Sequence, residues 1–284
     1  MRVLIIGASG MLGTDLLKEW ETDELIPASS RDADVRIAKQ VHRLLARTRP
    51  DWTVLTAAYT DVDGSECNLE NAFAVNANGA ENVARAAKEL GSRLFFVSTD
   101  YVFDGTSTRA YEPKDQIAPL NVYGQSKAAG EKAIREHHLD WCIARTSWLF
   151  GTAGACFPEK ILRASETRSE LTVVADQVGS PTFTRDLARM IRDLVRMDAR
   201  GILHVTNEGS CSWFEFASEI LRQAGRDSIR VKPITTAEAG RPAKRPAYSV
   251  LSPASLNARG LRMPDWRDAL GSYLKELQQQ GKLA

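Results

Sequence analysis

Short unbroken apolar runs alternate, along the first half of the chain, with stretches whose apolar residues recur every three or four positions. Residues 3–6 (VLII), 25–28 (LIPA), 53–58 (TVLTAA), 94–98 (LFFVS) and 141–146 (WCIART) read as strands, being too short for helices and bounded by turn residues. Residues 11–20 and 71–90 carry apolar positions at helical spacing, and the second stretch ends at Gly91, a C-cap residue. A strand apolar at nearly every position has no polar face to give to water, so it must be covered on both sides. Strands of that kind separated by helices predict an α/β chain with a doubly wound parallel sheet.

After about residue 150 the rhythm loosens. Residues 171–175 (LTVVA) and 202–205 (ILHV) still predict strands, with a helix over 184–197 between them. Two further helical segments follow Gly209, separated by Pro- and Arg-rich turns. Residues 1–150 thus form the sheet domain, its sheet completed by parts of 170–207. Residues 151–170 and 208–284 are left for a smaller C-terminal domain.

Composition narrows the partners. The 284 residues hold 37 basic against 36 acidic side chains, a net charge of +1. There is no general field for nucleic acid or an acidic membrane, so any anionic ligand needs a local site. No segment approaches the roughly 20 apolar residues that span a bilayer. The apolar start at residues 3–6 meets a glycine too soon to be a signal-peptide core. Cys67, Cys142, Cys156 and Cys211 are scattered, without CxxC spacing or nearby histidines, so neither a zinc site nor a disulfide framework is expected. The reading is a reduced, cytoplasmic protein.

The first strand runs into Gly7-Ala8-Ser9-Gly10-Met11-Leu12-Gly13. Gly7 allows the tight turn, Gly10 lets backbone N–H groups approach a pyrophosphate, and Gly13 seats the helix on the sheet. The helix N-terminus adds unpaired donors and a favourable dipole. The second strand ends in Ser29-Ser30-Arg31. A carboxylate there would accept from the ribose hydroxyl of NAD, whereas hydroxyls with an arginine suit a 2′-phosphate. NADPH is therefore expected, with NADH left open. Asp34 and Val35 lie slightly further on, where a side chain can meet the adenine.

The strand at 94–98 delivers Thr99 at its carboxyl end, where open α/β sheets place their ligands. Downstream, Tyr123-Gly124-Gln125-Ser126-Lys127 opens a helix expected over 125–137. Residues four apart share a helical face, their Cβ atoms about 5–6 Å apart, so Tyr123 and Lys127 can enter one cleft. A free phenol titrates near pH 10, and a neighbouring ammonium favours its ionised form. The pair therefore reads as proton-handling machinery, with Thr99 hydrogen-bonding the substrate oxygen.

The motifs GASGMLG, AAYTDVD, STDYVFDG, NVYGQSK, RTSWLFG, DQVGSPT and RPAYSVLS follow in this order over about residues 1–270. In this the chain resembles the dTDP-4-dehydrorhamnose reductase family of the extended short-chain dehydrogenase/reductase superfamily. The resemblance implies a Rossmann-type domain binding NADPH, a smaller substrate-binding domain, and reduction of the 4-keto group of dTDP-4-dehydro-L-rhamnose. It also implies Thr99, Tyr123 and Lys127 as catalytic triad and a cofactor lined by Gly7, Gly10, Met11, Leu12, Ser30, Arg31, Asp34, Val35, Ala57, Ala58, Tyr59 and Asn76. Tyr123 and Lys127 would also touch that cofactor. Substrate contacts are expected from Thr99, Asp100, Tyr101, Trp148 and Arg245, the last holding the diphosphate. Trp148 reads equally as a core aromatic, and Arg245 as part of a charged loop with Arg241 and Lys244. The implied partner is a nucleotide sugar, and the protein a monomer or homodimer.

Two departures stand out. Some members hold magnesium at a dimer interface through acidic side chains; Asp15 could supply one, but the second position reads Arg185, so no metal is expected. A position often Asn-Phe in the family reads Cys156-Phe157. Two other functions fit the same scaffold. A nucleotide-sugar dehydratase or epimerase would usually carry Thr-Asp-Glu where this chain has Thr99-Asp100-Tyr101. An NADP-binding regulatory subunit, like the one that partners methionine adenosyltransferase, would keep the fold while function moved to an interface.

Overall fold

A computed structural model describes residues 1–20 and 23–283. Its first part runs β1 (Arg2–Ile6), α1 (Met11–Glu19), β2 (Glu24–Ala28), α2 (Ala38–Thr48), β3 (Trp52–Leu55), α3 (Val62–Cys67), α4 (Leu69–Phe73), α5 (Gly79–Leu90), β4 (Arg93–Thr99), α6 (Val122–His137) and β5 (Trp141–Thr146). A sixth strand, Gly201–His204, joins them in the order Gly201–His204, β5, β4, β3, β1, β2. Every neighbouring pair is parallel. Pro27, which has no N–H for a ladder, sits in the edge strand β2, where it is tolerated.

Both faces of the sheet are covered, as the continuous apolar strands require. Val3 and Ile5 of β1, with Val54 and Phe95, pack under α1 and the helix Thr184–Arg196. Leu4, Ile6, Leu55 and Phe96 point the other way, onto α2, α5 and α6. The strand order reverses between β1 and β3, which opens a crevice at their carboxyl ends.

A second apolar cluster gathers Phe150, Phe183, Phe216, Trp266 and Tyr273 around the helices Trp213–Gln223 and Trp266–Gln279. Here the structure departs from the sequence reading. The strand expected at 171–175 forms, as Glu170–Val174, but stays out of the main sheet and pairs in parallel with Arg230–Ile234. Only Gly201–His204, from the region 170–207, completes the large sheet. The helix expected over 71–90 also differs: α4 passes into α5 through a π turn at Ala74–Asn78. Among the described residues no helix is long and apolar enough to cross a membrane.

Candidate active site

The glycine turn crosses the end of β3. Gly7 has φ +98°, and a Cβ there would lie 2.5 Å from the Ala57 nitrogen. Only glycine permits both that backbone and that approach. The Gly10 N–H donates to the Gly7 carbonyl at 3.0 Å, and the Thr14 N–H returns to Gly10 at 2.9 Å. Gly10 caps α1 without a side chain, so the N–H groups of Met11, Leu12 and Gly13 open the helix unsatisfied by a cap. Donors aimed from a helix start across a gap that a side chain would fill form a cradle fitting a dinucleotide pyrophosphate.

Beyond the cradle, Ser30 and Arg31 are exposed, and the Arg31 guanidinium has no partner among the described residues. Asp34 is engaged: Arg36 grips its carboxylate at 3.0 and 2.6 Å and holds its pKa below the usual range. Val35 is buried against Gly79. Ala57, Ala58 and Tyr59 lie half-buried along the crevice. Asn76 is only 1% exposed and sits in the π turn. Its amide accepts from the Tyr59 N–H at 2.8 Å and donates to the Tyr59 carbonyl at 3.0 Å and to Ser126 Oγ at 2.9 Å. With both ends of the amide so committed, Asn76 holds the Tyr59 segment onto α6 and presents nothing to the crevice.

The three residues singled out for proton chemistry converge. Thr99 ends β4, and its hydroxyl donates to Asp100 Oδ1 at 3.0 Å and accepts from the Tyr101 N–H at 3.2 Å. Tyr123 and Lys127 lie in the first turns of α6, which begins three residues earlier than the sequence reading placed it. Asn121 caps that start by accepting from the Gly124 N–H at 2.8 Å, and Glu66 accepts from the Val122 N–H at 2.9 Å. Gly124 allows the helix to touch the turn after β4, because a Cβ there would sit 2.2 Å from the Tyr101 carbonyl oxygen. The Lys127 ammonium is 2% exposed, donates to the Val97 carbonyl at 2.7 Å, and lies 4.0 Å over the Phe96 ring.

Electrostatics reverse one expectation. Burial pushes the Tyr123 phenol up to about 12, and the Thr99 hydroxyl offsets this only in part. Lys127 does not lower the phenol, because its ammonium is turned to the Val97 carbonyl and is itself brought down to about 7 by burial, against the favourable charge of Glu131. Desolvation wins over the ion–phenol attraction here.

The residues expected at the sugar are split. Asp100 is 2% exposed and faces inward, accepting from the Thr99 hydroxyl at 3.0 Å, so it is not open to the cleft. The Tyr101 ring meets Tyr123 edge-on at 6.0 Å. Arg245 does not stand free for a phosphate: it holds Asp63 through two bonds of 3.0 and 2.9 Å and donates to the Ala243 carbonyl at 3.0 Å. Trp148 packs at the edge of the second apolar cluster. It is half-buried, has φ +48°, a strained backbone for so bulky a residue, and stacks on Trp213 at 3.5 Å and 8°.

Comparison with known proteins decides the family. Residues 1–279 match the model of the RmlD substrate binding domain. The chain belongs to the dTDP-4-dehydrorhamnose reductase family. It is 39% identical to the spore coat polysaccharide biosynthesis protein SpsK of Bacillus subtilis, over 97% of each chain. It is also 39% identical to the dTDP-4-dehydrorhamnose reductase of Mycobacterium tuberculosis, over 96% of this chain and 92% of that one. The crystal structure of the Bacillus anthracis dTDP-4-dehydrorhamnose reductase, in complex with NADP, superposes with a TM-score of 0.94 at 41% identity, covering 97% and 99% of the two chains. Membership makes this chain an NAD(P)H-dependent oxidoreductase on the extended short-chain dehydrogenase/reductase fold.

Asp15, weighed above as a metal ligand, accepts from Thr184 Oγ1 at 2.5 Å and from Lys18 Nζ at 3.1 Å. Arg185 bridges Glu19 and Glu276, a cation set between two carboxylates. The sequence reading missed four residues that build the site: Asn121, Gly124, Arg36 and Trp213. Asn121 had a signal, an N-cap residue type just ahead of the helix. The stack of Trp213 on Trp148 spans a tertiary contact that no local pattern announces.

Proposed function

We propose that this enzyme reduces the 4-keto group of dTDP-4-dehydro-L-rhamnose to give dTDP-L-rhamnose, with NADPH as reductant. One observation carries the reading. Thr99, Tyr123 and Lys127 meet at the carboxyl end of β4, beside the crevice that begins at the glycine cradle. Gly10, Met11 and Leu12 would hold the pyrophosphate. Arg31 and Arg36 would face the 2′-phosphate, the Asp34 carboxylate already being neutralised by Arg36. Tyr59 and Lys127 would line the nicotinamide side.

When bound, the cofactor supplies the hydride. The chain's own residues handle the oxygen. Tyr123 would donate a hydrogen bond to the keto oxygen, and the Thr99 hydroxyl, which donates to Asp100 here, would turn to join it and hold the carbonyl in place. A phenol held near 12 stays protonated through the neutral range, so Tyr123 is a donor at every working pH. An alkoxide is a far stronger base than a phenolate, so proton transfer from Tyr123 to the new alkoxide would run downhill. Lys127, anchored on Val97, would orient the ribose. The half-buried Trp148, braced by Trp213, would wall the sugar, and the diphosphate would draw Arg245 away from Asp63.

NADPH oxidation by the purified enzyme, followed by absorbance with dTDP-4-dehydro-L-rhamnose as acceptor, tests the reading. Turnover that vanishes when the keto-sugar is omitted supports it. Oxidation with no dTDP-L-rhamnose formed tells against it.

A further inference from the structure

About two turns along α6 from Tyr123 lies a buried ion pair that the reaction as described does not use. Tyr123, Lys127 and Glu131 stand four residues apart, so they share one face of that helix. Glu131 is 1% exposed, and Arg145, on β5, is 2% exposed. The guanidinium grips the carboxylate with two bonds, Nε to Oε1 at 2.9 Å and Nη2 to Oε2 at 2.7 Å. The Ser98 hydroxyl donates to the same Oε1 at 2.6 Å. Ser98 and Arg145 are register partners in the β4–β5 ladder, so one carboxylate on α6 is bound near the ends of two strands at once. Ser98 is also the residue immediately before Thr99.

Stability is a poor reason for such a pair. Desolvation offsets much of the attraction between two buried charges, and apolar residues of similar volume often hold a fold as well. What the pair adds is direction. A two-bonded guanidinium–carboxylate contact has a narrow geometry, whereas apolar side chains can slide past one another. With Ser98, this contact fixes how α6 sits along β4 and β5. The Lys127 ammonium makes a second tether to β4, at the Val97 carbonyl, 2.7 Å away. Arg145 carries the frame on into the segment between β4 and α6, through the Pro113 carbonyl at 3.2 Å and the Phe103 ring at 5.1 Å. We propose that Glu131 is a positioning residue for the reduction: held by Arg145 and Ser98, it sets where Tyr123 and Lys127 stand relative to Thr99. It acts through the helix and touches no reacting atom. A misplacement of about 1 Å at reacting groups can lower a rate on the order of 10²-fold, so a frame two turns away can govern turnover.

This inference rests on the reductase reading, so the experiment separates the two. The principal variant combines Glu131→Leu with Arg145→Met, which removes both charges together and leaves neither buried without its partner. Its melting temperature and its KM for the nucleotide sugar should change little, while kcat falls by roughly 10- to 100-fold. Ser98→Ala, which frees only β4 and keeps the ion pair, should lower kcat in the same sense by less. A folded double variant with the kcat of the unaltered enzyme overturns the proposal, because a purely structural pair is replaceable in this way. Should the double variant fail to fold, Ser98→Ala decides: a lowered kcat at unchanged KM supports the frame, and an unchanged kcat overturns it. If the unaltered enzyme does not turn over dTDP-4-dehydro-L-rhamnose, the reductase reading fails, and crystal structures of the unaltered and variant proteins decide the placement. Tyr123 displaced from Thr99 by more than about 0.5 Å supports the positioning role, and an unmoved Tyr123 overturns it.

Discussion

At the residue scale, the site is a contest between burial and charge. The sequence alone placed a lysine four positions after a tyrosine, and that spacing implied a lowered phenol. The folded chain instead raises Tyr123 to about 12 and lowers Lys127 to about 7, because both lie away from water. A reductase needs its phenol protonated, so this outcome suits the proposed direction of reaction. Tyr123→Phe should lower kcat by on the order of 10²–10⁴, while NADPH binding, read by fluorescence, stays close to that of the unaltered enzyme. Gly124→Ala is expected to be nearly as damaging from further away. Its methyl would press on the Tyr101 carbonyl, only 2.2 Å from the Cβ position, and must push α6 from the turn that carries Thr99. A circular dichroism spectrum like that of the unaltered protein with a much reduced kcat is the expected pair of results; full activity would mean the contact yields easily.

At the element scale, α6 is the part that would join the proposed cofactor crevice to the proposed sugar pocket. Its cap, Asn121, accepts from Gly124 and donates to the Lys244 carbonyl at 2.7 Å, so one amide ties the helix start to the loop bearing Arg245. Asn121→Ala should cost about 1 kcal/mol in denaturant unfolding as a lost cap. It should also raise KM for the nucleotide sugar more than KM for NADPH, because the loop it releases bears Arg245, the residue proposed for the sugar diphosphate. Equal effects on both would deny the loop that role. This is also the scale at which the sequence was most and least legible. Strand β1, the glycine turn and helix α1 came from period and turn chemistry, which are local. The π turn that carries Asn76, and the passage of Glu170–Val174 into a separate pair with Arg230–Ile234, did not. Both are settled by partners far along the chain: Asn76 reaches Ser126, and Glu170 pairs with Arg230. A strand's apolar pattern says that it pairs, not with which strand.

At the scale of the whole molecule, two buried titrating groups shape stability in opposite senses. His204 is buried with both ring nitrogens unpartnered, and burial lowers it from 6.5 to about 3. The unfolded chain therefore takes up a proton in that window which the native state refuses, so stability falls as pH drops from 6.5 toward 3. Asp100, raised from 3.8 to about 7, acts the other way: the native state binds the extra proton there, so its contribution to stability is lost as pH rises toward 7. His204→Gln should flatten the acid side of a plot of unfolding free energy against pH, and Asp100→Asn should steepen it. Unchanged slopes in both would mean these groups titrate normally.

The account as a whole is that of a sugar-nucleotide 4-ketoreductase, built from a glycine cradle, a Thr–Tyr–Lys cluster and a braced tryptophan. The most direct measurement uses NADPH carrying deuterium at nicotinamide C4, dTDP-4-dehydro-L-rhamnose and the unaltered enzyme, with the product examined by NMR. The expected result is dTDP-L-rhamnose with the label at sugar C4 alone, formed far more slowly with Tyr123→Phe. Label at another carbon, or no consumption of the keto-sugar, would contradict it.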